Sequence, residues 1–183
     1  MLAASDSALR GARSSRNSAR LTRLVELTDG DFAAMLRGDA NVRPGIAQPP
    51  GGVDEPAVLG HVRRLAGNLH RSGYAGGHWM MVANGEAVGL CGFHGPPSND
   101  GDVEIGYSVA ARRRGRGHAT AAVKAMVELA AADPAVRALV AITAVGNVSS
   151  QRVLTRNGFE RAGRYEHPED GPSIVWRKTT SAR

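Results

Sequence analysis

Apolar and polar residues alternate first over Leu21–Leu27, which predicts a short opening strand. Thr28-Asp29-Gly30-Asp31 then offers helix-capping side chains, and Phe32, Met35 and Leu36 follow at helical spacing until Gly38. Residues 41–53 carry three prolines and a Gly-Gly pair and read as a loop. Asp54-Glu55-Pro56 opens a second helix whose stripe is Val58, Val62, Leu65 and Leu69. His78–Ala83 and Ala87–Phe93 read as strands joined by Asn84-Gly85, a hairpin signal. Val103, Ile105, Tyr107 and Val109 alternate along the next strand, which completes an antiparallel meander.

The pattern then changes period. Ala119, Ala122, Val123, Met126, Val127 and Ala130 form a helical stripe that Asp133-Pro134 stops. Ala138–Val145 is nearly all apolar, as a strand covered on both faces would be. Strand, helix and strand make one right-handed βαβ crossover with a parallel pair. Ser149 and Ser150 can cap a short helix over Gln151–Arg156, which Asn157-Gly158 ends. Phe159–Glu166 and Ile174–Arg177 close the chain as a hairpin.

The turn inside the crossover carries the chemistry. Arg112-Arg113-Arg114-Gly115-Arg116-Gly117-His118-Ala119 joins a strand to a helix start. The first amides of a helix lack partners, and with the helix dipole they suit a phosphate or pyrophosphate. Gly115 and Gly117 let the backbone come close, and the arginines add charge. No Gly-Lys-Ser/Thr follows, so this is not a Walker A loop, and the third glycine of the dinucleotide fingerprint is missing. A solvated basic turn is the plain alternative.

Arg112-x-x-Gly115-x-Gly117-x-Ala119 resembles the acyl-CoA pyrophosphate loop of the GNAT N-acyltransferase superfamily. Asn147-x-x-Ser150-x-Arg152 followed by Gly158-Phe159 looks like the second signature of that family, and Glu104-Ile105-Gly106-Tyr107 resembles its fourth strand. The resemblance follows element order over residues 21–178 and is specific over 102–159. It implies a mixed α/β (α+β) fold of about six to seven mostly antiparallel strands, a central splayed parallel pair and about four helices. The three parts expected are a basic extension over 1–20, one acetyltransferase domain over 21–178 and a tail over 179–183.

By the same resemblance, the strand Glu104–Ala110 presents free backbone groups to pantetheine, and the gap opens toward Ile142–Val145. Val109 is placed at a bulge, where its N–H polarises the thioester carbonyl. Arg112, Arg114, Gly115, Arg116, Gly117, His118 and Ala119 hold the pyrophosphate, His118 through its backbone. Asn147 bonds the pantetheine amide or is an ordinary loop asparagine, and Arg152 reaches a phosphate or is a solvated helix arginine. Glu104 is the candidate base; an exposed strand face or an arginine ion pair is the other reading. The tyrosine that many members carry on the helix after the fifth strand is absent, with Leu154 near its place. That departure points toward the ribosomal-protein-alanine N-acetyltransferase-like subgroup, in which Ser150 would protonate the thiolate; Ser150 also fits a helix cap. His94 lies near the acceptor cleft and is a weaker candidate base.

Composition narrows the partners. The chain of 183 residues suits one domain, and no apolar run is long enough to span a bilayer, so no membrane partner is expected. Cys91 is the single cysteine and excludes an intramolecular disulfide, which fits a cytoplasmic protein. The net charge of +6 suits an acidic ligand, while 4% aromatics argue against single-stranded nucleic acid. Six histidines without paired Cys or carboxylate spacing predict no metal site. The expected activity is transfer of acetyl from acetyl-CoA to a primary amine, a protein N-terminus or a small molecule. A non-catalytic acyl-CoA-binding module and a nucleic-acid-binding protein are the alternatives, and a homodimer is open. Residues 1–20 resemble a transit segment in being Arg- and Ser-rich with Asp6 as their lone acid; a flexible bacterial extension is the preferred reading.

Overall fold

The computed structural model describes residues 22–74, 76–168 and 171–180. The extension expected over 1–20 lies outside them. Among the described residues nine strands and four helices follow in order: β1 (Arg23–Glu26), α1 (Asp29–Arg37), β2 (Asn41–Arg43), β3 (Ile46–Ala47), α2 (Pro56–Arg71), β4 (His78–Ala83), β5 (Glu86–Phe93), β6 (Asp102–Val109), α3 (His118–Ala132), β7 (Ala138–Ala144), α4 (Val148–Arg156), β8 (Glu160–His167) and β9 (Gly171–Thr179). The sheet order is β1-β4-β5-β6-β7-β9-β8, mostly antiparallel, with β6 and β7 parallel at its centre.

The first half differs from expectation in one place. The loop over 41–53 contains a small hairpin, β2 with β3, turned at Gly45 and tied to β5 through Ala47 opposite Glu86. Three prolines mask so short a pairing in the sequence. Thr28 caps α1 as expected, its N–H donating to Asp31 Oδ2 at 2.7 Å, and Gly38 ends the helix left-handed. Asn84 and Gly85 both take positive φ, as a two-residue hairpin turn requires.

Two apolar layers sandwich the sheet. Met80, Val82 and Leu90 pack toward α1 and α2, with Met35 and Leu59. Met81, Cys91, Val103, Ile105 and Leu139 pack toward α3, with Val123 and Met126. Full burial of each such side chain stabilises by about 1.5–3 kcal/mol. The two layers hold because the pairing of β4 with β5 slips between Met81 and Val82. The extra residue reverses the alternation of β5, so Val88 and Cys91 face the same layer. Gly89 sits at this bulge, where a Cβ would strike the Ser108 carbonyl.

The folded chain also runs past the expected boundary at 178. Thr179 pairs with Ala138, and the Thr180 N–H donates to the Arg137 carbonyl at 2.9 Å.

Candidate active site

The basic turn is built from its backbone. After Val109 the chain makes one 3-10 turn, Ala111–Arg113. Gly115 (φ 75°) and Gly117 (φ 84°) are left-handed, and Gly117 leads into α3 with no side chain capping it. The first α3 bond closes at Ala121 on Gly117, so the preceding amides face outward. Outward amides at a helix start can hold an anion. The four arginines divide. Arg113 is clamped to Glu86 at 2.6 and 2.8 Å, and Arg114 Nε donates back to the Val109 carbonyl at 3.1 Å. Arg112 and Arg116 are exposed. The His118 side chain is buried, with Nδ1 2.9 Å from Thr22 Oγ1, so its ring fastens β1 to the loop. Burial, then Arg116 and Arg113, lowers its pKa and keeps the ring neutral. Ala119 is in the first turn of α3, with its backbone at the cradle.

Behind the loop the sheet opens. The parallel ladder pairs Asp102, Val103 and Glu104 with Ala138, Leu139 and Val140, and then stops. On its other edge β6 stays in register with β5 from Ile105 to Val109. Val109 is therefore not a bulge. The bulge belongs to β5, because the packing of Val88 needs it and β6 keeps one-to-one pairing. The His94 N–H donates to the Glu104 carbonyl at 2.9 Å and the Ala110 N–H to the Val88 carbonyl at 3.0 Å. These bonds set the phase of the ladder: even-numbered residues of β6 bond β5. The amides of Tyr107 and Val109 consequently point into the gap beside β7.

Helix α4 borders the gap. It starts at Val148, three residues earlier than expected, and Asn147 caps it, Oδ1 accepting from the Ser150 N–H at 3.1 Å. Ser150 is thus not the cap, and its hydroxyl is 2.7 Å from the Tyr107 hydroxyl. Burial pushes Tyr107 up to about 12, and Ser150 opposes the shift. Tyr107 was not singled out from sequence. Its signal was the alternation with Val103 and Ile105, which puts it on the α3–α4 face. Leu154, at the place of the missing tyrosine, is a core residue, and Arg152 is exposed.

On the other face of the sheet a cavity of about 210 Å³ separates α2 from β5 and β6. Val58, Val62 and Leu65, the stripe of α2, line it together with His61, His78 and His94. Its floor is glycine: a Cβ on Gly92 would meet His78, and one on Gly106 would meet His94 Nε2. His94 Nδ1 lies 2.9 Å from Glu104 Oε1 at the rim, both side chains being about 40% exposed. His78 is buried, its Nδ1 without a hydrogen-bond partner, and burial followed by the charge of His94 lowers its pKa to about 4. It is shared with a second cavity of about 420 Å³ bordered by Glu26, Asp29 and Arg63. Cys91 is buried and its thiol is pushed up by burial, which fits a structural residue. Among the described residues no cluster of three His, Cys, Asp or Glu could hold a metal ion.

A parallel pair that separates at mid-strand, above a glycine-arginine turn, defines an acyl-CoA-binding transferase architecture. The chain belongs to the acetyltransferase (GNAT) domain family, whose pattern matches residues 20–160. An uncharacterized N-acetyltransferase of Bacillus subtilis (strain 168), YjdG, is 30% identical over 94 residues; that match spans 49% of this chain and 56% of the relative. Among solved structures the fold is similar to the ribosomal L7/L12 alpha-N-protein acetyltransferase RimL in complex with coenzyme A. The TM-score is 0.69 at 19% identity, over 91% of this chain and 98% of that one. The aminoglycoside acetyltransferase AAC(6')-Ib with coenzyme A has a TM-score of 0.64 at 24% identity, over 88% and 96%.

Proposed function

We propose that the protein transfers an acetyl group from acetyl-CoA to a primary amine by direct attack on the thioester. The observation that carries this reading is the end of the β6–β7 ladder at Glu104 and Val140, with outward amides at the start of α3. The Gly115–Ala119 backbone, Arg112 and Arg116 bind the pyrophosphate. Arg114 supports the loop through Val109 and reaches a phosphate by swinging outward; Arg152 supplies a further cation from α4. Asn147, its Oδ1 engaged, offers its NH2 to the pantetheine chain. Ser150, hydrogen-bonded to Tyr107, returns a proton to the sulfur.

The base function belongs to the rim of the glycine-floored cavity, where the Glu104 carboxylate and the His94 ring meet. Val109 is five residues beyond Glu104, about 16 Å at strand rise. Its amide therefore serves the arm, and the thioester carbonyl falls to the amide of Tyr107. The apolar cavity has no Asp or Glu among its lining residues, which suits one α-amino group better than a polycation. That supports a protein N-terminus as acceptor, with a small monoamine second. No helix of the described residues is long and apolar enough to cross a membrane, and a lone buried Cys91 suits a reducing cytoplasm.

The test is calorimetric titration with acetyl-CoA, followed by thiol release with peptides, polyamines and aminoglycosides. Saturable binding and turnover with an amine are expected. Binding with no turnover would leave the non-catalytic module as the better reading.

A further inference from the structure

We propose that His94 is the general base, and that Glu104 acts through it as a positioning residue; the inference rests on the acetyl-transfer reading. Glu104 lies in the closed part of the sheet, paired with Val140 in β7. The gap begins one residue later, so a group that serves the thioester must reach forward from there. His94 does so. It leaves the end of β5, and its Nε2 hangs directly over Gly106, where any Cβ would collide with it. Gly106 is followed by Tyr107, whose amide points into the gap. The bare glycine leaves this point of β6 covered by the imidazole.

The pairing also sets the tautomer. Nδ1 at 2.9 Å from Glu104 Oε1 carries the hydrogen, which leaves the lone pair on Nε2 for the amine. The groups facing the ring are His78 from β4, His61 from α2 and Glu104 from β6. The one carboxylate at this point is already engaged by His94 Nδ1, which makes a poor site for a lysine-type cation.

The proton count closes. As the nitrogen of a neutral amine bonds to the carbonyl carbon, its surplus proton passes to Nε2. The C–S bond breaks, and the sulfur takes a proton from the Ser150–Tyr107 pair. Solvent then removes the proton on His94 and restores the one lost by the Ser150–Tyr107 pair.

The test compares wild type with His94→Gln, His94→Ala and Glu104→Gln, using acetyl-CoA and a panel of peptides and small amines, with thermal unfolding as the folding control. A general base is worth about 100-fold or more. His94→Gln and His94→Ala are expected to lose that factor in kcat, keep acetyl-CoA affinity within twofold, and abolish the acid limb of the kcat/KM profile. Glu104→Gln is expected to lose about tenfold and keep the limb. Gly106→Ala, which displaces the ring without removing it, should match the His94 variants in kcat. Acetyl-CoA binding with full kcat in both His94 variants would overturn the assignment alone. Binding without turnover of any amine by wild type would also count against it. Failure of wild type to bind acetyl-CoA would overturn the transferase reading and the inference together.

Discussion

The Tyr107 hydroxyl and the Ser150 hydroxyl are 2.7 Å apart across 43 positions of sequence, one from the open strand and one from the helix that borders the gap. A buried phenol with a raised pKa stays protonated at neutral pH, so in the proposed reaction it can refill Ser150 once that hydroxyl has given its proton to the sulfur. Thiolate is a good leaving group and needs modest help. Tyr107→Phe and Ser150→Ala are each expected to lower kcat about tenfold, with little change in acetyl-CoA KM. The double variant should lose no more than the larger single loss, because the two act as one donor. Steady-state kinetics on the three variants measure this.

The proposed phosphate cradle depends on left-handed backbone at Gly117 (φ 84°). An alanine there costs roughly 1–2 kcal/mol of strain and turns the first amides of α3 away from the anion. Gly117→Ala is expected to weaken acetyl-CoA binding at least tenfold. Arg116→Ala should weaken it less and reduce its salt dependence, since the lost term is screened charge. Calorimetry at two ionic strengths separates backbone from charge.

His78 makes stability depend on acid. Its pKa falls from 6.5 in the unfolded chain to about 4 in the fold, where Nδ1 is buried and unpartnered. The unfolded state therefore binds the proton first. Stability is complete above the unfolded value and is lost as pH drops from 6.5 toward 4. The loss reaches about 3 kcal/mol at most. Denaturant midpoints between those limits should fall in wild type and fall less in His78→Gln. A flat wild-type curve would remove His78 from the account.

Asn147 holds the first turn of α4 by accepting from the Ser150 N–H. Asn147→Ala is expected to cost about 1 kcal/mol, the usual loss of a cap. Acetyl-CoA affinity should drop with it, through loss of the proposed pantetheine contact. Asn147→Ser restores the cap but not the reach, so it should recover the stability and not the affinity. Thermal melts and titration of the two variants check both halves.

Much of the fold was legible because its signals are local. The Thr28 cap, the Asn84-Gly85 turn, the apolar stripe of α3 and the Gly115–Gly117 loop each act over a few residues, and each appears where the pattern puts it. The expected cap at Ser149 or Ser150 failed for a local reason too. Asn147 caps the helix from further upstream, accepting from the Ser150 N–H, so both serines lie inside its first turn. The hairpin of β2 and β3 was hidden because strands of three and two residues are held by their neighbours and not by their own alternation.

By itself, then, the order of residues determined the periods, the caps of the first helix, the crossover and the basic turn that marks the family. Tertiary structure alone decided which side chains meet. Thr22 finds His118 across 96 positions, Tyr107 finds Ser150, and His94 folds back over Gly106 to reach Glu104. The bulge in β5 and the point where β6 leaves β7 were settled there as well. The reason is register. A strand that slips by one residue turns every side chain to the other face, so contacts between distant segments exist only after the whole sheet has chosen its pairing.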